Sequence, residues 1–377
     1  MRSIFARTTI AAAAMLALAA CSSSSSGGGT SASAGTSSAT TTSSSAAPST
    51  PATSSAGTGS AAAGTIKSGL KIAIIPKQVN NPYFDAAFVG AKKACTEIAA
   101  TCTQIGPTQA TGAAQVQFIN TAIQQGYNAL VVSAADADSV VPALKKAQDA
   151  GLSVVTYDAD VNDTSARSAM ITPTTPAQIG QYQVKWIADA IGQGGGEIAI
   201  LSAAATAANQ NAWIKFMKQE LKLPKYKNMK LVKIYYGNDD PKDSLQATES
   251  MLQAYPNLKG IESPTTVGIS SAAQYLSNSK YKGKVVLQGL GLPSQMKKYV
   301  LNGTLKDFAL WNPEDLGYLA GYAAAAIASG DIKGKVGETF TAGKLGKYKI
   351  IKGAGGPEVI LGPPFLFNKK NVAKFNF

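Results

Sequence analysis

From Leu70 onward the chain repeats one unit: a short β-branched or aliphatic run, then a longer stretch with apolar residues at helical spacing. Residues 71–75 read as a strand, and 82–99 as a helix with Phe84, Phe88, Cys95 and Ile98 on one face. A strand near Thr103, a helix over 112–125 and a strand over 129–133 follow. Next come a helix capped at Asp138 or Ser139 and running to Ala150, and a strand over 153–158. Strands joined by helices at this spacing make parallel βαβ units. Their unbroken apolar character suits a sheet covered on both faces. The pattern then begins again, with a helix over 176–191 leading to strands at 197–202, 230–236, 260–263, 284–287 and 307–310. The run Gly194-Gly195-Gly196 precedes a strand instead of following one, so it reads as a helix stop and not as a phosphate loop. The expected fold is α/β, with two doubly wound parallel-sheet lobes and ligand chemistry at the carboxyl ends of the strands.

Ahead of this lies a stretch of a different kind. Arg2 and Arg7, an apolar run from Ile10 to Ala20 and small residues before Cys21 read as an export signal over 1–20. The sequence Leu18-Ala19-Ala20-Cys21 resembles the lipobox of bacterial lipoproteins, whose mature chain begins with a diacylated cysteine. An ordinary secretory signal that leaves Cys21 as a thiol is the alternative. Ser22 to Ile66 contains no charged residue and is almost wholly Ser, Thr, Ala and Gly, so it cannot bury enough apolar surface to fold. Residues 21–66 are therefore expected to be a lipidated cysteine and its tether, which places the folded part outside the cytoplasm, held to the outer face of the cell membrane. In an exported protein the remaining cysteines, Cys95 and Cys102, are a candidate disulfide between a helix end and the next strand. After the signal, no run approaches the roughly 20 apolar residues that span a bilayer.

The formal net charge is +13, and loss of Arg2 and Arg7 with the signal would lower it to +11. Lysine supplies nearly all of it, because Arg167 is the one arginine left. Arginine is the usual means of bidentate capture of phosphates and bases, so nucleic acid is not an expected partner. Lysines 222, 225, 227, 230 and 233 read as a solvated surface. The chain has no histidine, which removes the Ser-His-Asp and Cys-His nucleophile systems and the commonest general base. Neither a metal, a cofactor nor catalysis is expected. A glycosidase using Asp158 and Asp160 is the rival reading. Two residues apart at one strand end, however, they are poorly placed to flank a scissile bond at about 5–9 Å.

The strand ends hold a consistent set of polar groups. The first strand ends in Lys77, Asn80, Asn81, Pro82, Tyr83 and Phe84, and the fourth in Asp158 and Asp160. The second half offers Asn209 and Gln210, then Pro264, Thr265 and Thr266, then Trp311 and Asn312. Carboxylates and amides pair with vicinal hydroxyls, while aromatic faces cover the C–H surface of a sugar ring. A phosphate or carboxylate ligand would call for arginines instead. Each group also has a purely structural role open to it: Asn80 and Asn81 as a turn and helix cap, Asp158 as a cap, Trp311 as core. As a ligand group, Asp158 should be dispensable for folding, so that Asp158→Ala loses sugar binding with little change in unfolding.

Several of these segments resemble the sugar-binding proteins of bacterial ABC importers, in the ribose-binding-like, type I periplasmic binding protein class. Asn80-Asn81-Pro82-Tyr83-Phe84, the strand Tyr127 to Ser133 and Thr156-Tyr157-Asp158 carry the general likeness. Ile75-Pro76-Lys77, Asn209-Gln210-Asn211-Ala212-Trp213, Ala309-Leu310-Trp311-Asn312-Pro313, Leu361-Gly362-Pro363-Pro364 and Phe367-Asn368-Lys369 point to the rhamnose-binding and autoinducer-2-binding branch. The resemblance implies two lobes joined by a three-segment hinge: 67–173 with 312–335, and 174–311 with 336–377. It places Lys77, Asn81, Tyr83, Phe84 and Asp158 on the first lobe's rim, and Asn209, Gln210, Pro264 and Thr266 on the second. Trp311 and Asn312 fall at a crossover. It further implies a monomer that captures a sugar or polyol and serves ABC permease subunits, or else a sensor. The autoinducer-2 branch has an acidic residue at the position of Asn209 and alanine at that of Thr266, and the Leu-Trp-Asn-Pro and Leu-Gly-Pro-Pro segments look more like the rhamnose branch.

Overall fold

The computed structural model describes residues 66–377. The expected signal 1–20, Cys21 and all of the 21–66 tether but Ile66 lie outside the described residues. The first run of elements is β1 (Lys71–Ile75), α1 (Pro82–Glu97), β2 (Thr101–Gln104), α2 (Gly112–Gln124), β3 (Ala129–Val132), α3 (Val141–Asp149), β4 (Ser153–Tyr157) and β5 (Ala169–Thr172). The second is α4 (Pro176–Ile191), β6 (Gly196–Ser202), α5 (Ala208–Glu220), β7 (Met229–Tyr236), α6 (Pro241–Ala254), β8 (Leu258–Ser263), α7 (Thr266–Ser277), β9 (Val286–Gly289), α8 (Pro293–Leu301) and β10 (Asp307–Leu310). The chain then continues through α9 (Pro313–Ser329), β11 (Thr339–Thr341), β12 (Lys347–Lys349), β13 (Ile351–Gly353), β14 (Gly356–Ile360) and β15 (Phe365–Asn368).

The first lobe is built on a sheet of order β13-β14-β5-β4-β3-β1-β2, parallel except for the β13–β14 hairpin. β3 and β5 are buried from end to end and β4 in all but its first residue, as a sheet covered on both faces requires. Helix α9 returns to this lobe and packs along α1 and over β4. Two glycines allow that contact: a Cβ on Gly317 would stand 1.8 Å from the carbonyl oxygen of Ala87, and one on Gly90 would stand 1.7 Å from that of Glu314. The second lobe carries the parallel sheet β7-β6-β8-β9. Ala309 of β10 joins its edge by a bridge to Leu290, and β15 then pairs antiparallel to β10. Cys95 at the end of α1 and Cys102 in β2 are disulfide-bonded.

Three crossovers link the lobes: β5 to α4, β10 to α9, and residues 361–364 between β14 and β15. The first and third run side by side, with the amides of Leu361 and Gly362 donating to the carbonyls of Thr172 and Pro173. This corrects the expected boundary. Residues 351–360 belong to the first lobe, not the second, because β14 pairs with β5 through Glu358 opposite Met170 and Val359 opposite Ile171. The buried Arg167 fastens the same hairpin by donating to the carbonyls of Pro357 and Gly355 at 2.8 and 3.2 Å. Helix α3 also starts later than expected. The Asp136 carboxylate accepts from the amides of Asp138 and Ser139, forming a turn that delays the helix to Val141. The same amides hold the Asp136 carboxyl below its ordinary range.

Candidate functional site

The carboxyl ends of the strands from both lobes meet on one buried cavity of about 40 Å³. It is lined by Lys77, Asn81, Tyr83, Phe84 and Asp158 from the first lobe. Asn209, Gln210, Trp213, Asp239, Pro264, Thr265, Thr266 and Leu290 come from the second, with Leu310 and Trp311 at the second crossover. Local structure explains how each group arrives there. Asn81 caps α1, its side chain accepting from the amide of Tyr83 at 3.0 Å, with Pro82 opening the helix. That cap turns Tyr83 and Phe84 into the cavity wall at the end of β1.

Asp158 is the hub. It follows β4 with φ +60°, the left-handed region that aspartate tolerates better than most residues. One carboxylate oxygen accepts from the Tyr83 hydroxyl at 3.0 Å. The other accepts from Ser133 Oγ at 2.9 Å and from Asn209 Nδ2 at 3.4 Å, and stands 3.7 Å from Lys77 Nζ. Lys77 is itself 4 % exposed and donates to Asn209 Oδ1 at 3.0 Å. The two lobes are thus joined through a lysine, a carboxylate and an amide. A second bond between them runs from Gln78 Nε2 to the carbonyl of Asp239 at 3.1 Å.

Aromatic rings close the apolar side. Trp311 Nε1 donates to the Tyr83 hydroxyl at 2.9 Å, and Tyr83 meets Phe84 and Trp311 edge-on. Trp213 meets Trp311 in the same way, at 6.1 Å between centroids. Burial, reinforced by the Asp158 charge, pushes the Tyr83 hydroxyl well above its ordinary range, so it stays a neutral donor. Asp239, just beyond β7, accepts from the Thr265 hydroxyl. Burial raises its carboxyl, while Lys77 and that hydroxyl act in the opposite sense.

Eleven of the thirteen ligand positions expected from the sequence line this cavity; Asp160 and Asn312 do not. The Asp160 carboxylate is turned away onto Arg167, which holds both its oxygens, and accepts from Thr156 Oγ1. The Asn312 side chain caps α9, accepting from the amide of Glu314 and donating to Asp315. Sequence reasoning missed Trp213, Asp239, Leu290 and Leu310. Asp239 was within reach of the same strand-end rule, since it stands three residues after the last residue of β7. Trp213 and Leu310 lay inside recognised motifs, but nothing in the pattern said which way they faced. Among the described residues there is no His/Cys/Asp/Glu group suited to a metal, and no helix long and apolar enough to cross a membrane.

Two doubly wound lobes, three crossovers and a polar cavity shared by both sets of strand ends define a cleft-type solute binder. Residues 72–332 match the family of the periplasmic binding protein domain, and the chain belongs to that family. A sugar ABC transporter structure from Actinomyces odontolyticus is 47% identical, with a TM-score of 0.66, covering 82% of this chain and 100% of that one. An ABC transporter solute-binding protein from Clostridium phytofermentas with bound L-rhamnose is 39% identical, with a TM-score of 0.79, covering 82% and 98%. A curated relative, the D-apiose import binding protein of Actinobacillus succinogenes, is 29% identical over 190 residues. That match spans 50% of this chain and 60% of the relative's length.

Proposed function

We propose that this protein is an extracytoplasmic receptor that captures a neutral monosaccharide, L-rhamnose or a similar deoxy-sugar, and delivers it to an ABC importer. The observation that carries this is the Lys77–Asp158–Asn209 network across the cleft beside Tyr83, Phe84 and Trp311. It offers hydroxyl-sized donors and acceptors from both lobes against an aromatic wall, and only contacts made to both lobes favour closure over opening. A sugar's hydroxyls would take over the bonds these side chains now make to one another. The likeness to the rhamnose-bound protein supports the choice of sugar. Calorimetry across deoxy-hexoses, hexoses, pentoses and polyols should give L-rhamnose or a near relative a Kd of about 1 μM or below. A folded protein that binds none of them would overturn the reading.

The same proposal includes attachment. A diacylated Cys21 gives two chains, enough for stable anchoring where one is marginal. The 45 residues from Ser22 to Ile66 would then stand between that anchor and the fold. Cys21→Ser expressed in a bacterial host should move the protein from the membrane fraction to the soluble one. Retention at the membrane would refute the anchor.

A further inference from the structure

Beside the 40 Å³ cavity lies a larger one of about 320 Å³, sharing Asp158, Asn209 and Trp213 with it. The inner space holds about three water molecules by volume, whereas the outer one reaches the range of a small-molecule pocket, about 300–1,000 Å³. Its walls come from the segment after β4, from β5 and the start of α4, from the first turns of α5, and from the tip of the β13–β14 hairpin. That tip is a fixed part of the lobe. Arg167 anchors it through the carbonyls of Pro357 and Gly355, and is itself locked by both oxygens of Asp160.

The chemistry continues that of the inner cavity. Met170 and Trp213, both buried, supply an apolar floor. Glu358 supplies acceptors, one of its oxygens receiving the amide of Gly355 at 3.3 Å. Burial raises the Glu358 carboxyl above its ordinary range. The cations Lys77 and Arg167 are already paired with Asp158 and Asp160, so neither is free to hold an acidic second unit. A neutral hydroxylated unit needs no such counter-charge.

Resting on the sugar-binding reading of the inner cavity, we propose that the outer cavity is a second subsite. The preferred ligand is then a neutral glycoside of two units, its terminal sugar in the inner cavity and its second hydroxylated unit over Met170 and Trp213. Ala212 lines only the outer cavity, and Ala354 is exposed at the hairpin tip beside it, so each can be enlarged without touching the inner groups. Calorimetry would compare L-rhamnose, its methyl glycoside and a neutral disaccharide ending in rhamnose. The disaccharide should bind about tenfold more tightly than the monosaccharide, equivalent to about 1.4 kcal/mol. Ala212→Trp and, as a variant at an exposed position, Ala354→Trp should abolish that advantage while leaving monosaccharide affinity within about twofold. Monosaccharide binding as tight as or tighter than that of the disaccharide would overturn the subsite and leave the monosaccharide reading standing. So would a disaccharide advantage that survives both variants. Failure of every saccharide to bind would sink both.

Discussion

Asp158→Asn should weaken sugar binding by about 100-fold, the loss expected when a charge-assisted hydrogen-bond hub becomes neutral. Asparagine is the informative replacement, since it matches the aspartate in size and tolerates the left-handed backbone at φ +60°. The geometry revises the expectation that this residue is dispensable for folding. Lys77 is buried beside it, and Tyr83, Ser133 and Asn209 all donate to it. Removing the charge leaves a buried ammonium without this counter-ion, so Asp158→Asn should also lose roughly 3–5 kcal/mol of stability. Asp158→Ala adds strain at a positive φ and three donors without an acceptor. Calorimetry with L-rhamnose on the folded Asn variant is the decisive measurement; unchanged affinity would remove Asp158 from the ligand site.

The second large effect concerns stability and pH. Glu262 lies in β8 with no solvent exposure, and among the described residues neither carboxylate oxygen has a hydrogen-bond partner. Burial pushes its carboxyl well above the ordinary carboxylate range. The strand neighbours in register are Ile200 and Gln288, and α4, which packs over β8 and β9, carries the equally buried and unpartnered Gln183. Below about pH 4.3, folded and unfolded chains both keep this proton. Above that, the unfolded chain releases it while the folded chain holds it, so stability falls as pH rises towards the folded value. Glu262→Met should therefore be more stable than the parent by roughly 2–3 kcal/mol at pH 8, and the gap should shrink to about 1 kcal/mol at pH 4.5. Urea unfolding at the two pH values tests this. A variant destabilised equally at both would show that the carboxyl group has a partner after all.

The architecture was largely legible because parallel βαβ units write a coarse, strong pattern. β1, α4 and β10 have the limits that apolar runs and helix caps give them in the sequence. β5 was missed, since Ala169 to Thr172 is short and follows a loop with no helix to announce it. The C-terminal strands were missed for a different reason: residues 351–360 pair with a strand nearly two hundred positions earlier, and no local pattern encodes that partner. The candidate site was legible to the extent that it is made of strand ends. Asp160 and Asn312 misled because they are polar groups in the right neighbourhood whose hydrogen-bonding capacity is spent on Arg167 and on a helix cap. Orientation around a turn is decided by such partners, which the sequence does not display.

The last stretch of the chain finishes both sheets. β14 extends the first lobe and, a few residues later, β15 extends the second. A chain emerging from its amino end therefore cannot complete the first lobe until about residue 360 is free, nor the second until about residue 368. Pairings of such long range are slow to form, because the intervening loop must close before any contact rewards it. The nascent protein therefore keeps both lobes incomplete for nearly its whole length. Truncation anywhere before residue 351 would leave two open sheet edges instead of one damaged lobe.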